Sequence, residues 1–168
     1  APMVKSKHLL IAIVLVAAGI IGFLLFYSSD ETVIKKRFKS LAADFSRESP
    51  ENDLLNAAKS KRIGNMFAKT CRVVIPGYEV DRTFSRDDVQ PYVMMARSRY
   101  KDISLDFFDF AIAFPEEGRA TVNVSVFVRA TPVAGEPVQE IHEMVFSLEK
   151  GEEEWLFTDI ESVEVLEK

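Results

Sequence analysis

Cysteine is almost absent from this chain, and the scarcity of several residue types excludes whole classes of site. A single cysteine, Cys71, cannot form a disulfide within the chain, and it argues against a zinc site built from thiolates. The two histidines, His8 and His142, have no further ligands spaced around them for a metal ion. The glycines form neither a phosphate-binding loop nor a nucleophile elbow. We therefore predict no metal site and no cofactor.

The stretch Leu9–Tyr27 lacks charged residues, side-chain amides and proline altogether. At about 1.5 Å per residue, a helix of this length is roughly 28 Å long, which is close to the ~30 Å hydrocarbon core of a bilayer. A buried helix of a soluble protein is the alternative, but an apolar surface on every side favours a lipid environment. We predict one membrane-spanning helix over residues 9–27.

The residues before this stretch indicate an uncleaved signal anchor. Lys5 and Lys7 provide a basic start, but the apolar run exceeds the roughly 7–15 residues of a secretory signal, and no small-residue cleavage site follows it. We predict a cytoplasmic tail over residues 1–8, the span over 9–27 and a domain over 28–168. The domain is expected on the periplasmic side of a bacterial inner membrane, since long C-terminal domains cross largely regardless of charge.

A basic cluster follows the span and leaves the opposite orientation open. Its four members are Lys35, Lys36, Arg37 and Lys39. Positive charges this close to a span favour the cytoplasmic side, so a cytoplasmic domain is the alternative. With a periplasmic domain, we predict that the cluster contacts the lipid headgroups of the bilayer.

Lysine and arginine are concentrated in residues 1–101, whereas residues 102–168 are strongly acidic. The basic half also carries acids and has no basic–aromatic motif, which argues against a nucleic-acid partner. Acidic residues on the predicted strands offer a surface for a protein partner, where charge steers and orients association. The residues predicted to form it are Glu140, Glu143, Glu161 and Glu164. The alternative is that these charges keep a sheet edge soluble.

Hydrophobic spacing predicts three helices before residue 100. Apolar residues recur at helical spacing over Thr32–Arg47. Ser49 as an N-cap and Pro50 at the first helical position predict the start of a second helix. Ser85, followed by acidic residues, predicts the start of a third helix. Between the last two helices, the β-branched run Cys71–Ile75 predicts a short strand.

After residue 102 the hydrophobic period changes to two, and strands are predicted over residues 103–114, 120–130, 138–150 and 155–165. Valines alternate with polar residues in the second of these, so that Val124 and Val126 should be buried on one face. Helices followed by a meander of antiparallel strands predict an α+β domain, with the helices packed on one face of a curved sheet.

Four segments, SRDDVQPYVMMARSRY, EEGRATVNVSV, GEPVQE and FSLEKGEEEWLF, resemble the nuclear transport factor 2-like superfamily of cone-shaped α+β domains. The strand start at Arg119 and the hairpin from Leu148 to Trp155 carry most of the resemblance, which covers about residues 31–166. The superfamily contains enzymes, ligand carriers and assembly modules, so the resemblance implies a fold but not an activity. A membrane-anchored version is similar in layout to the bitopic scaffold subunit of type IV secretion systems.

The resemblance implies that any catalytic groups would be acids, histidines or tyrosines that project into the cone. Asp106, Asp109 and His142 are the candidates. The two aspartates are three residues apart on a phenylalanine-rich strand, so at most one faces inward, and an edge position or a bulge explains them equally well. His142 is equally well explained as a packed or edge residue.

Two functions fit these observations. The first is a non-catalytic interaction module, a small subunit of a membrane-associated assembly. Its partners would be the bilayer and other membrane or periplasmic proteins; self-association as a homo-oligomer is left open. The sequence favours this function because no two titratable groups converge at a spacing suited to acid–base chemistry. The alternative is binding or conversion of a small apolar ligand in the cone, which a cavity of several hundred Å³ holding a polar group would favour.

Overall fold

The first helix, α1, runs without interruption over Met3–Phe45 and carries the apolar stretch. The structure is a computed structural model that describes residues 3–163, without the side chains of residues 3–6 and 26–29. Glu164 therefore lies outside the described residues. The chain divides into two compact units, Ala1–Lys35 and Lys36–Lys168.

The first unit contains the apolar part of α1. Its side chains from Leu9 to Leu25 are exposed, as expected of a helix that faces lipid. Within the described residues, this is the one helix that is long and apolar enough to cross a membrane. The finding supports a span by length and composition. The boundaries 1–8, 9–27 and 28–168 stay predictions.

The second unit contains the end of α1 and two further helices, α2 (Asp53–Gly64) and α3 (Arg86–Ser98). Asn52 caps α2, because its Oδ1 accepts a hydrogen bond from the Leu55 backbone N–H at 2.8 Å. The prediction of a helix start at Ser49 and Pro50 is therefore wrong by one turn. The predicted cap of α3 is confirmed, since Ser85 Oγ accepts from the backbone N–H of Asp88 at 3.3 Å.

Six strands form one sheet in the order β2-β1-β6-β5-β4-β3. The strands are β1 (Phe67–Ile75), β2 (Val80–Ser85), β3 (Tyr100–Glu116), β4 (Arg119–Pro132), β5 (Val138–Lys150) and β6 (Trp155–Ser162). All neighbours are antiparallel except β1 and β6, which pair in parallel. The predicted meander corresponds to β3–β6, whereas β2 was not predicted and β1 begins before the predicted Cys71.

The helices cover one face of the sheet around Phe38 of α1, which is fully buried. Its ring makes edge-to-face contacts with rings from β3, β5 and β6, the shortest to Phe146 at 4.9 Å between centroids. On β4, Val124 and Val126 are buried on this same face, as the alternation predicts. The predicted α+β architecture, with helices packed on one face of a curved sheet, is confirmed, and the β1–β6 pair is the one parallel pair in an otherwise antiparallel sheet.

Candidate functional site

A cavity of about 380 Å³ lies between the helices and the sheet of the second unit. Apolar side chains from all three helices and from five of the strands line it, among them Leu41, Phe45, Val93, Phe107 and Met144. The polar side chains in the lining are Tyr78, His142 and Ser162. Its volume and composition are those of a site for a small apolar molecule that carries a polar group.

His142 lies on β5 and contributes an imidazole to the cavity wall. Two residues before it on the same strand is Glu140, and alternation places both side chains on one face. Their cross-strand partners are Val128 and Val126, which also line the cavity. His142 Nε2 and Glu140 Oε2 lie 2.8 Å apart, within hydrogen-bond distance, and the His142 side chain is 35% exposed.

The two candidate aspartates do not line the cavity. Asp106 points away from it and accepts a hydrogen bond from Arg129 Nη2 at 2.6 Å, in an exposed ion pair. Asp109 is exposed, and its φ of 55° lies at a shift in the β3–β4 register between Phe108 and Ala111. Both aspartates belong to β3, which is an edge strand of the sheet. Their positions match the alternatives to a catalytic role that the sequence left open, an edge position or a bulge.

The predicted acidic surface is divided between two faces of the sheet. Glu140 faces the cavity side with His142, whereas Glu143 accepts a hydrogen bond from Ser125 Oγ at 2.7 Å on the other face. Glu161 is exposed and pairs in register with Val145, also on the outer face. A role for these residues in binding a protein stays a prediction.

The basic cluster after the span is partly engaged within the chain. Lys35 pairs with Glu31 at 2.8 Å on the helix surface. In the second unit, Arg37 pairs with Glu154 of the β5–β6 turn at 2.9 Å, and its side chain is largely buried. Lys36 and Lys39 are exposed. Contact between this cluster and lipid headgroups stays a prediction.

Arg97, which sequence reasoning missed, fixes the helices that form one wall of the cavity. Its side chain is fully buried, and it donates to the carbonyl oxygens of Phe45 at 3.0 Å and Ser46 at 3.1 Å at the end of α1. It also bonds to Asn56 of α2 and forms a buried ion pair with Glu51 at 2.7 Å. The sequence signal is its spacing, because Arg97 falls four and eight residues after the apolar Val93 and Val89 on α3.

Glu51 joins this network as an ionised carboxylate. Burial is the largest single influence and acts to raise its pKa, but hydrogen bonds and charge from Lys59 and Arg97 together outweigh it. The pKa of Glu51 therefore lies below its ordinary value. Lys59 also donates to the Ser46 carbonyl at 3.1 Å, so both cations satisfy groups at the end of α1.

No group of three or more His, Cys, Asp or Glu side chains in the described part of the chain is arranged to bind a metal ion. A larger depression of about 740 Å³ also occurs in the second unit. Charged and hydroxyl side chains dominate its lining, including Lys69, Arg72 and Arg119. Its surface is more polar than apolar, and the cavity at His142, whose lining is almost entirely apolar, is the better candidate for an apolar ligand.

Comparisons of structure find the same architecture in other proteins. A putative scytalone dehydratase from Novosphingobium aromaticivorans is 15% identical, with a TM-score of 0.64 over 82% of this chain and 87% of that one. A hexachlorocyclohexane dehydrochlorinase, LinA-type3 from Novosphingobium barchaimii, is 10% identical, with a TM-score of 0.64 over 82% and 87%. A putative calcium/calmodulin-dependent protein kinase II association domain from Xanthomonas campestris is 15% identical, with a TM-score of 0.58 over 83% and 88%.

No protein-family model matches the chain, and no curated protein matches it in sequence. The structural likenesses establish that the domain has the nuclear transport factor 2-like fold, which confirms the resemblance in the sequence. At these identities they establish the fold alone.

Proposed function

We propose that the unit Lys36–Lys168 binds a small apolar molecule that carries a polar group, in the cavity between its helices and its sheet. The observation that carries the proposal is a cavity of about 380 Å³ with apolar walls and His142 among its lining side chains. The volume lies within the range of about 300–1,000 Å³ that is usual for small-molecule sites. An interaction module without a ligand could have a cone filled by large side chains. In this domain, large side chains leave the cavity unfilled.

Conversion of the bound molecule is the second part of this proposal. Two of the similar structures are named as enzymes, a scytalone dehydratase and a dehydrochlorinase. The third is named as an association domain, so likeness of fold also accommodates an assembly role. The cavity supports ligand conversion more than an assembly role, because its volume and apolar lining are those usual for small-molecule sites.

We also propose that the N-terminal part of α1 anchors the domain to a bacterial inner membrane, with the domain on the periplasmic side. The support is one apolar helix of sufficient length, preceded by Lys5 and Lys7. An anchor keeps the domain within reach of the bilayer, where apolar molecules concentrate because water excludes them.

The test is to identify what the cavity holds in cells. The full chain is extracted in mild detergent, and bound small molecules are released with solvent and measured by mass spectrometry. Met144→Trp should fill the cavity and deplete the bound compound. Ile141→Trp, at an exposed position on the other face of the same strand, should retain it. Equal amounts of every compound in the two variants would contradict the proposal.

A further inference from the structure

We propose that the free edge of β3 binds an extended, basic segment of a partner protein, which adds a further strand to the sheet. β3 is the last strand in the sheet order and the longest of the six. Within residues 3–163, its residues beyond Ile103 pair only with β4. An edge of this length presents backbone N–H and C=O groups to which another chain can bond. This interaction uses the backbone of β3 and goes beyond the proposed function of the cavity.

The start of this edge shows how a bound segment would pair. Arg47, in the connection between α1 and α2, forms an antiparallel bridge with Ile103. The Arg47 N–H donates to the Ile103 carbonyl oxygen at 2.8 Å, and the Ile103 N–H donates to the Arg47 carbonyl oxygen at 2.9 Å. The register with β4 is unbroken from Asp102 to Phe108, and backbone groups alternate between the two sides of a strand. The N–H and C=O groups of Leu105 and Phe107 therefore point away from β4, in the direction in which Ile103 bonds Arg47.

The side chains along the edge favour apolar residues at alternate positions of the bound segment. Leu105 and Phe107 line the cavity on the inner face and are only half-buried. Phe108 lies on the outer face and is 37% exposed. Apolar side chains of an added strand would cover these groups, as cross-strand neighbours do within a sheet. Proline, which interferes with strand pairing, does not occur in β3 before Pro115.

The charge of the edge selects basic side chains at the other positions. Arg129 of β4 neutralises Asp106, but Asp109 is exposed and has no ion-pair or hydrogen-bond partner among the described residues. A lysine or arginine of an added strand would pair with the Asp109 carboxylate. A second copy of β3 would instead bring like charges together across the new pair, which destabilises it. The acids of this edge therefore repel a second copy and favour a basic segment.

Amide hydrogen exchange of the full chain in detergent, followed residue by residue by NMR, tests this pairing. The N–H groups of Leu105 and Phe107 should exchange rapidly in the free protein, because they face solvent. The probe is a peptide of about seven residues in which valine alternates with lysine and threonine. An excess of it should slow exchange at both residues by at least about tenfold, as new hydrogen bonds protect them. The N–H groups of Asp106 and Phe108, which bond to β4, should exchange slowly with and without the peptide.

Two controls separate strand pairing from charge attraction alone. Methylation of one alternate set of peptide amides should abolish the protection, because those N–H groups face β3, and methylation of the other set should leave it intact. Asp109→Lys should weaken peptide binding by at least about threefold, the scale of one cross-strand ion pair. Glu152→Lys, at an exposed position between β5 and β6, is the matched control and should bind the peptide as the parent does.

Three results would overturn the inference. The first is unchanged exchange at Leu105 and Phe107 in an excess of the peptide. The second is equal protection by a peptide with glutamate in place of lysine, since the edge would then not select a basic segment. The third is protection of the same two residues that rises with protein concentration alone, which would identify a second copy of the chain as the strand that binds there.

Discussion

Phe38 shows how one side chain shapes the interior of the cone. Its ring contacts Phe107, Phe110, Phe146 and Phe157 at centroid distances of 5.1, 5.3, 4.9 and 5.3 Å. Phe107 and Phe146 also line the cavity. The aromatic cluster therefore closes one part of the interior with rings in favourable edge-to-face geometry and forms an apolar boundary for the remaining space.

Cys71 should be unreactive in the folded protein. Its side chain is 1% exposed and donates to the Arg72 carbonyl oxygen at 3.7 Å. Burial, assisted by the negative charge of Asp159, raises the pKa of the thiol to about 12. Because the thiolate is the reactive form, Ellman's reagent should label the native protein very slowly and one thiol per chain after denaturation. Rapid labelling of the native protein would show that β1 is more open than described.

The sequence pattern predicts the burial of individual residues well where the pattern is regular. The alternating valines of β4 are an example, since a regular strand has one inward face. Asp106 and Asp109 are harder, because one bulge changes which side chains face inward. The pairing of His142 with Glu140 follows from their spacing on a strand, yet the cavity beside them depends on contacts between elements distant in the sequence.

At the scale of elements, the buried network around Arg97 joins the three helices of the second unit. Arg97 belongs to α3, Asn56 and Lys59 to α2, and the carbonyls of Phe45 and Ser46 to the end of α1. Leu41 and Phe45 of α1 line the cavity, so the network determines the position of that wall. Polar groups this deeply buried require partners with matching geometry.

Arg97→Leu should destabilise the domain by about 3–5 kcal/mol, since removing one partner of a buried ion pair leaves the other groups without compensation. Arg62→Met is the matched control. Arg62 pairs with Asp44 at 2.7 Å, but its side chain is 53% exposed. Its loss should cost no more than about 1 kcal/mol. Denaturant unfolding of both variants, followed by near-ultraviolet circular dichroism, gives the comparison, and equal costs would contradict the described burial of Arg97.

Glu51 should make the domain sensitive to acid. Its pKa is lowered in the folded state from an ordinary value of 4.5. The unfolded chain therefore binds a proton first as the pH falls, and the stability that Glu51 contributes is lost from about pH 4.5 downward through the folded-state pKa. Glu51→Gln should be less stable than the parent at neutral pH, and the difference should narrow in acid. Parallel curves of unfolding free energy against pH would contradict this.

The elements that the sequence predicts most completely are those with long regular patterns, namely α1, α3 and β3–β6, whereas only the second half of β1 is predicted. The start of α2 does not follow from the sequence, because Ser49 and Asn52 are both good capping residues. Asn52 is the cap in the structure, and Glu51, just before the helix, forms a buried ion pair with Arg97. β2 is short and largely exposed, so its side chains carry no alternation. Its pairing with β1 depends on the turn at Pro76–Tyr78.

For the whole molecule, the proposed orientation places the C-terminus outside the cytoplasm. A reporter enzyme that is active only in the periplasm should be active when fused after Lys168. A reporter that is active only in the cytoplasm should be silent at the same position. The reverse result would place the domain in the cytoplasm, which is the side that the basic residues after the span favour.

Photolabelling shows whether the domain keeps an open cavity for a small apolar molecule. Trifluoromethyl-phenyldiazirine, a small apolar probe, is activated by light with the full chain in membranes, and labelled peptides are located by mass spectrometry. The apolar stretch from Leu9 to Leu25 is exposed and provides an internal positive control. If the cavity is open, we expect additional label on β4 and β5 at Val126 and Met144, which Met144→Trp removes. Label confined to the apolar stretch would contradict it.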